Sequence, residues 1–178
     1  MKYFEELKRS MEFLSKKQDT IFIGQAVEVP GTAMTNTLKN VPKKKLLELP
    51  VAEEMQMGMT IGLSMNKYTP ISIYPRWNFL LYSINQLVNH LDKFNMMMGG
   101  KFKIKTIIRT GIGSERPLHP QYQHTGDFTE AIQKMCNNIE VIRLDQTEQI
   151  FPAYEKAYNR TDGKSTILVE YGDFYNEK

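Results

Sequence analysis

The sequence predicts an α/β domain: a doubly wound, mainly parallel sheet of six strands with helices on both faces. Three observations predict it. Six short runs of β-favouring residues recur along the chain, helical patterns lie between most of them, and several of the runs are almost continuously apolar. An alternating run marks a strand with one wet face, whereas a continuous apolar run marks a strand covered by helices on both sides, the usual state of a parallel sheet. At 178 residues the chain has the length of one domain, spanning 1–178.

The elements follow in order. Phe4, Leu7, Met11 and Leu14 recur at three and four, the stripe of an amphipathic opening helix. TIFIG (20–24), LLEL (46–49), PISIY (70–74), KTIIRT (105–110), EVIRL (140–144) and TILVEY (166–171) read as the six strands. Helical patterns occupy 79–94, 127–135 and 147–159. The segment EMQMGMTIGLSM (54–65) alternates with a period of two, which alone would say strand. Gly58 and Gly62 would weaken a strand interior, however, and a parallel neighbour needs a crossover, so this segment is expected to be a helix. Four apart, the two glycines would share one helix face and admit another backbone closely. The 79–94 helix is apolar on two faces, at Leu80, Ile84, Leu87 and Leu91 and again at Leu81, Tyr82 and Val88, and is expected to be buried on both.

Composition excludes several classes. With 41% hydrophobic and 24% charged residues the chain is ordinary for a globular protein, and no apolar run reaches the roughly 20 residues that span a bilayer. The start MKYFEELKRSMEFL lacks the unbroken apolar stretch of a secretory signal, so a cytoplasmic location is expected. Cys136 is a lone cysteine that reads as a buried, inert thiol. A net charge of +3, with basic residues spread apart from Lys43, Lys44 and Lys45, disfavours nucleic-acid binding.

Ligands of parallel sheets bind beyond the carboxyl ends of the strands. Polar candidates stand there in Gly24 to Glu28, Pro50 to Glu54 and the loop carrying His119 and His124, with Trp77 and Phe79 as aromatic surfaces after PISIY. No phosphate-binding loop and no G-x-G-x-x-G after the first strand is present; GIGSER (111–116) lacks that spacing. His119 and His124 stand five apart without the spacing of a helical metal site, and no G-x-S-x-G elbow supports a serine nucleophile. No metal ligand is expected from this chain.

The ordered set LPVAEEMQMGMTIGLS (49–64), PISIYPRWNF (70–79), NQLVNHLDK (85–93), MGG (98–100), IIRT (107–110) and QHTGDF (123–128) resembles the pyrimidine-binding domain of thiamine diphosphate enzymes. The likeness covers nearly the whole chain and is greatest to the beta subunit of 2-oxo acid dehydrogenases and the transketolase central domain. The resemblance implies that Glu53, at the helix start, hydrogen-bonds a ring nitrogen of the cofactor's aminopyrimidine. A carboxyl group there favours the imino tautomer, whose exocyclic nitrogen removes the thiazolium proton. It also implies that Phe79, with Trp77 nearby, packs on the pyrimidine, and that His124 of the Q-H-T element faces substrate. Gln25 stands where the dehydrogenase subunits often carry an acidic residue. The residues alone leave other roles open: Glu53 or its neighbour Glu54 could serve the macrodipole, Phe79 could be core, and His124 could order its loop.

The superfamily's diphosphate motif, G-D-G followed some 25–30 residues later by asparagine, is missing; Gly126-Asp127-Phe128 departs from it in residue and spacing. The resemblance therefore implies a separate alpha-type chain holding the diphosphate and Mg2+, a shared thiamine diphosphate site at the interface, and a heterotetramer of two such pairs. The reaction class it implies is cleavage or formation of a carbon–carbon bond next to a carbonyl. The alternative is a non-catalytic regulatory or interaction subunit that keeps the fold.

Overall fold

In the computed structural model, which describes residues 2–30, 32–113 and 119–176, six strands form one sheet in the order β2-β1-β3-β4-β6-β5. The strands are β1 (Thr20–Gly24), β2 (Leu46–Glu48), β3 (Thr69–Ile73), β4 (Ile107–Ile112), β5 (Ile139–Leu144) and β6 (Ser165–Tyr171). Every neighbouring pair is parallel. The expected doubly wound sheet is thus found, and it is parallel throughout. The helices are α1 (Tyr3–Ser15), α2 (Ala33–Asn36), α3 (Glu53–Met65), α4 (Trp77–Leu80), α5 (Phe94–Met97), α6 (Thr129–Met135) and α7 (Thr147–Asn159).

The period of two in each strand sorts side chains into two cores. On one face, Phe22, Ile71, Ile107 and Leu168 pack with Leu7, Met11 and Leu14 of α1 and Ile150, Ala153 and Tyr154 of α7. On the other, Ile108, Ile167 and Val169 pack with Met57 of α3, Trp77 and Leu80 of α4, Leu87 and Leu91 between α4 and α5, and Ile132 of α6. Adjacent residues such as Ile107 and Ile108 enter opposite cores, as a pleated strand requires. Cys136 lies in the second core, where burial and then the Asp92 carboxylate push its thiol up to about 11, so it stays protonated.

The α3 segment is a helix. Its alternation of methionine with polar residues is overridden by polar anchors on a single face: Gln56 Nε2 donates to Ser72 Oγ (3.1 Å) and to Ile73 O (2.9 Å), and Thr60 Oγ1 donates to Ser72 Oγ (2.9 Å). Positions 56 and 60 share that face only with a helical period. Gly24 makes room for the anchor. Its φ is +153°, and a Cβ there would lie 2.4 Å from Ile73 O and 3.2 Å from Gln56 Nε2. Gly24→Ala should therefore destabilise the chain by about 1–3 kcal/mol, read from the urea midpoint. Gly58→Ala, on a helix with nothing within 4 Å of the added methyl, should instead stabilise the chain alone by about 0.5–1 kcal/mol.

Two sequence expectations are corrected. Among the described residues no other backbone approaches Gly58 or Gly62, since nothing outside the helix's own backbone stands within 4 Å of either Cβ position. The 79–94 segment is also not one helix buried on two faces. It runs as α4, a 3-10 turn at Leu81–Ser83, a π-helical stretch at Gln86–Leu91 and then α5, with Tyr82 69% exposed. The wide turn is closed by Asp92 N donating to Leu87 O (2.9 Å), and it ends on a fully buried carboxylate. Asp92 Oδ1 there accepts from the backbone N–H groups of Asn137 (2.8 Å) and Asn138 (2.6 Å). Periodicity reports apolar stripes; it does not report the register shift that such a polar anchor imposes.

Candidate functional site

After β1 the chain pairs on one side with β2 and on the other with β3. The winding reverses between β1 and β3, and beyond the carboxyl ends of strands at such a point lies the crevice where ligands of doubly wound sheets sit. The segments leaving that edge carry Gln25 after β1, Glu53 after β2, Phe79 after β3 and His124 beyond β4.

Glu53 is the first residue of α3 and is half-buried. Its main chain is fixed: Ser83 Oγ (2.6 Å) and Tyr74 Oη (3.3 Å) both donate to Glu53 O. Burial pushes the Tyr74 phenol up, which keeps it a donor. The carboxylate itself takes no hydrogen bond or ion pair among the described residues. Glu54 differs: it is exposed, and its Oε1 accepts from Gln86 Nε2 (3.3 Å).

Phe79 and His124 are brought together, their ring centroids 5.3 Å apart and tilted by 39°. Both are half-buried and line an open cavity of about 500 Å³ with Asn78, Leu81, Tyr82 and Gln123. Among the described residues, Nδ1 of His124 is buried with no hydrogen-bond partner. Buried polar atoms are seldom left so, and this one, beside a cavity, is placed to bond a group that enters it. Trp77 is not brought to the cavity. It is fully buried in the second core, leaving its ring no free face for a ligand. His119 is exposed, and of the GIGSER stretch and the proline after it, residues 114–117 lie outside the described residues. Among the described residues no group of three or more His, Cys, Asp or Glu comes together to hold a metal ion, and no helix is long and apolar enough to cross a membrane.

Gln25 is half-buried on a loop that a residue missed by sequence reasoning holds in place. The Glu48 carboxylate accepts from four successive backbone N–H groups: Ala26 (2.6 Å, to Oε1), and Val27 (2.8 Å), Glu28 (2.7 Å) and Val29 (3.2 Å, all to Oε2). Ala26 adopts a φ of +51°, which turns these donors toward one point. Burial works against the charged form, but the four donors prevail and hold the Glu48 carboxyl below the usual carboxylate range. A carboxyl whose folded pKa is depressed stabilises the fold above its unfolded pKa and loses that contribution as pH falls through the folded value. Amide exchange at Ala26 to Val29 should accordingly accelerate in that acid window, and Glu48→Gln should abolish the extra protection at neutral pH. Unchanged exchange in the variant would rule this role out. A sequence cue existed, an acidic residue ending a strand beside the glycine loop, but nothing in one dimension paired it with residues some twenty positions earlier.

Arg76 is the second residue missed. Its Nη1 donates to Gly113 O (2.8 Å) and His124 O (3.0 Å), spanning the loop between β4 and the site histidine.

Comparison with known proteins places the chain in a family and agrees with its fold. A family model described as transketolase, pyrimidine binding domain, matches residues 6–174. The pyruvate dehydrogenase E1 component subunit beta of Chaetosphaeridium globosum is 36% identical over 78 residues, 44% of this chain and 24% of that protein. The subunit of the same name from Cyanidium caldarium is 30% identical over 119 residues, 63% and 36% of the two chains. The mitochondrial form from Ascaris suum is 26% identical over 132 residues, 71% and 36%. This chain thus spans only 24% to 36% of the length of these relatives. A solved structure described as a split gene transketolase, inactive beta4 tetramer, superposes with a TM-score of 0.73 at 13% identity, covering 95% of this chain and 51% of that one. That likeness is one of fold, six parallel strands in a helical jacket. The family match takes in nearly every residue of the elements described above, and the chain belongs to the transketolase pyrimidine-binding domain family.

Proposed function

We propose that this chain is the beta-type subunit of a split thiamine diphosphate-dependent enzyme that makes or breaks a carbon–carbon bond next to a carbonyl, by 2-oxo acid decarboxylation and dehydrogenation or by ketol transfer. The observation that carries the reading is the sheet edge itself. Glu53, half-buried and with no carboxylate partner among the described residues, follows β2, and the cavity walled by the Phe79 and His124 rings lies beyond β3 and β4, all at the carboxyl ends of one parallel sheet. These residues fit the pyrimidine half of the cofactor. Glu53 offers a carboxyl group to a ring nitrogen, Phe79 offers a half-exposed aromatic face, and the orphaned His124 Nδ1 offers a polar atom to ligand or substrate.

Thiamine diphosphate, when bound, supplies the electron sink that lets the bond beside a carbonyl break. This chain's residues have narrower tasks. Glu53 holds a proton at the ring nitrogen, which sets the tautomer; the bonds from Ser83 and Tyr74 to its carbonyl keep it in place. Phe79 fixes the ring plane and excludes water from one side. His124 holds or moves a proton at the substrate end. Gln25, on the loop ordered by Glu48, adds an amide at the end of β1.

The diphosphate and Mg2+ fall to a separate alpha-type chain in this reading, in a heterotetramer of two pairs. In support, the structural neighbour is itself described as a split-gene enzyme whose beta-only tetramer is inactive. The face around α3 also leaves Val51, Met55, Met65 and Tyr82 exposed beside the open positions at Gly58 and Gly62, a surface suited to a partner. The protonated, unpaired Cys136 is consistent with a reducing cytoplasm.

The test is reconstitution. This chain, a diphosphate-binding chain, thiamine diphosphate and Mg2+ are mixed with a panel of 2-oxo acids and ketoses, and turnover is measured with each chain omitted. Turnover should need both chains. Tight cofactor binding by this chain alone as a monomer would sink the split-site reading.

A further inference from the structure

We infer that Arg76 is the positioning residue of the site: through its side chain and its main chain together it sets the spacing of the His124 and Phe79 rings. The side chain acts on the histidine. One guanidinium nitrogen, Nη1, donates to Gly113 O at 2.8 Å, where β4 has just ended, and to His124 O at 3.0 Å. Gly113 and His124, eleven positions apart in the chain, are thus tied to one atom. The main chain acts on the phenylalanine. Arg76 is the N-cap of α4, with φ −150° and ψ 154°, and its carbonyl accepts from Phe79 N (3.1 Å) and Leu80 N (3.4 Å). The turn that presents Phe79 therefore starts on the residue that holds His124, and the 5.3 Å ring pair is the result.

An arginine suits the task because its planar group offers two N–H bonds from one nitrogen in fixed directions, whereas a lysine ammonium is a mobile point on a flexible stem. Burial pulls the guanidinium pKa down while Asp173, beyond β6, pulls it up. The group stays charged, as arginine does throughout the ordinary pH range. Asp173 reaches the same spot from the other side: a Cβ on Gly113 would stand 3.0 Å from its Oδ2. Arg76 thus joins the end of β3 to the end of β4 and to His124, feels the charge of Asp173 after β6, and does not itself line the cavity.

The inference rests on the proposed function only in taking Phe79 and His124 as the ligand-facing pair. It is tested without cofactor. The full chain, labelled at its three histidines, is followed by nuclear magnetic resonance, with His124→Gln assigning the resonance and Phe79→Leu giving the part of its shift that comes from the Phe79 ring. Arg76→Gln should lose most of that ring-dependent shift while the Trp77 emission maximum stays where it is; Arg76→Lys should retain part of it. In the reconstituted enzyme, Arg76→Gln should lower kcat/KM by roughly 10–100-fold, the size expected of a misplacement of about 1 Å. Should Arg76→Gln keep the wild-type ring shift, the inference is overturned. It is also overturned if both variants lose the shift together with a red-shifted Trp77 emission, since Arg76 would then hold the fold and not the pair. A lost ring shift in an assembly that never turns over leaves the inference standing and counts against the function alone.

Discussion

Glu53→Gln should lower turnover of the reconstituted enzyme by about 10²–10⁴-fold, the range over which a positioned acid or base contributes, while the fold barely notices. The asymmetry follows from how the residue is held. Its main-chain carbonyl carries the structural bonds, from Ser83 Oγ and Tyr74 Oη, and the glutamine variant keeps both. Its carboxylate has no partner among the described residues, so the structural loss is confined to the favourable interaction of an acidic group with the helix start, worth about 0.3–1 kcal/mol. Glutamine is nearly the same size and can donate or accept a hydrogen bond, but it cannot give up a proton to a ring nitrogen. Glu54→Gln is the internal control. That side chain is exposed and its one contact, with Gln86 Nε2, is long at 3.3 Å, so its replacement should leave turnover near the wild-type level. Equal turnover by Glu53→Gln and wild type would remove Glu53 from the mechanism, and a drop confined to Glu54→Gln would transfer the role to its neighbour.

How much of this was legible in one dimension depended on whether the physics was local. All six strands were, because a covered parallel strand must be apolar on both faces, and runs such as TILVEY have no other economical reading. The α3 helix was legible only through topology. Its own pattern alternates, and the residues that decide the matter, Gln56 and Thr60, act on Ser72 and Ile73 of a strand the sequence does not mark as their partner. The break in 79–94 was illegible for the same reason, since Asp92 bonds to Asn137 and Asn138.

The site divides similarly. Glu53, Phe79 and His124 stand beyond strand ends, as the strand-end rule expects, and the structure gathers the last two into one ring pair. Trp77 and Phe79 look alike in sequence, two aromatic residues at one strand end, but α4 turns one ring into the core and leaves the other at the cavity. Glu48 and Arg76 are not legible in the sequence because each acts on backbone atoms, and backbone donors and acceptors look alike in every sequence. The polar groups that hold a site in place are the hardest to read from residue types, since their partners are chosen by the fold.

The same reasoning locates the largest stability effect, at a pair the sequence hid inside two apolar runs. Arg109 of β4 and Glu170 of β6 are both fully buried. Arg109 Nε donates to Glu170 Oε1 (2.5 Å) and Nη2 to Oε2 (2.8 Å), a bidentate pair, while Nη1 donates to Thr37 Oγ1 (3.1 Å). Tyr154 of α7 donates to Oε1 (2.5 Å), and the Tyr175 hydroxyl donates to Oε2. Burial opposes the Arg109 charge, but Glu170 outweighs it and raises the guanidinium pKa; burial and then Glu170 raise both phenols, which remain donors. One carboxylate thus fastens β4, α7 and the turn after β6, and through Thr37 the segment after α2. Arg109→Met leaves that carboxylate buried without its cation, and the expected loss is about 3–5 kcal/mol, read from the urea midpoint. Glu170→Leu should cost a similar amount by stranding the guanidinium. The double variant is the discriminating one. If desolvation of an unpaired charge is the cause, Arg109→Met with Glu170→Leu should be distinctly more stable than the sum of the single losses predicts, because neither charge remains to be buried. Strict additivity would mean that the two residues act through separate packing, and a single-variant loss below about 1 kcal/mol would mean that water reaches the pair.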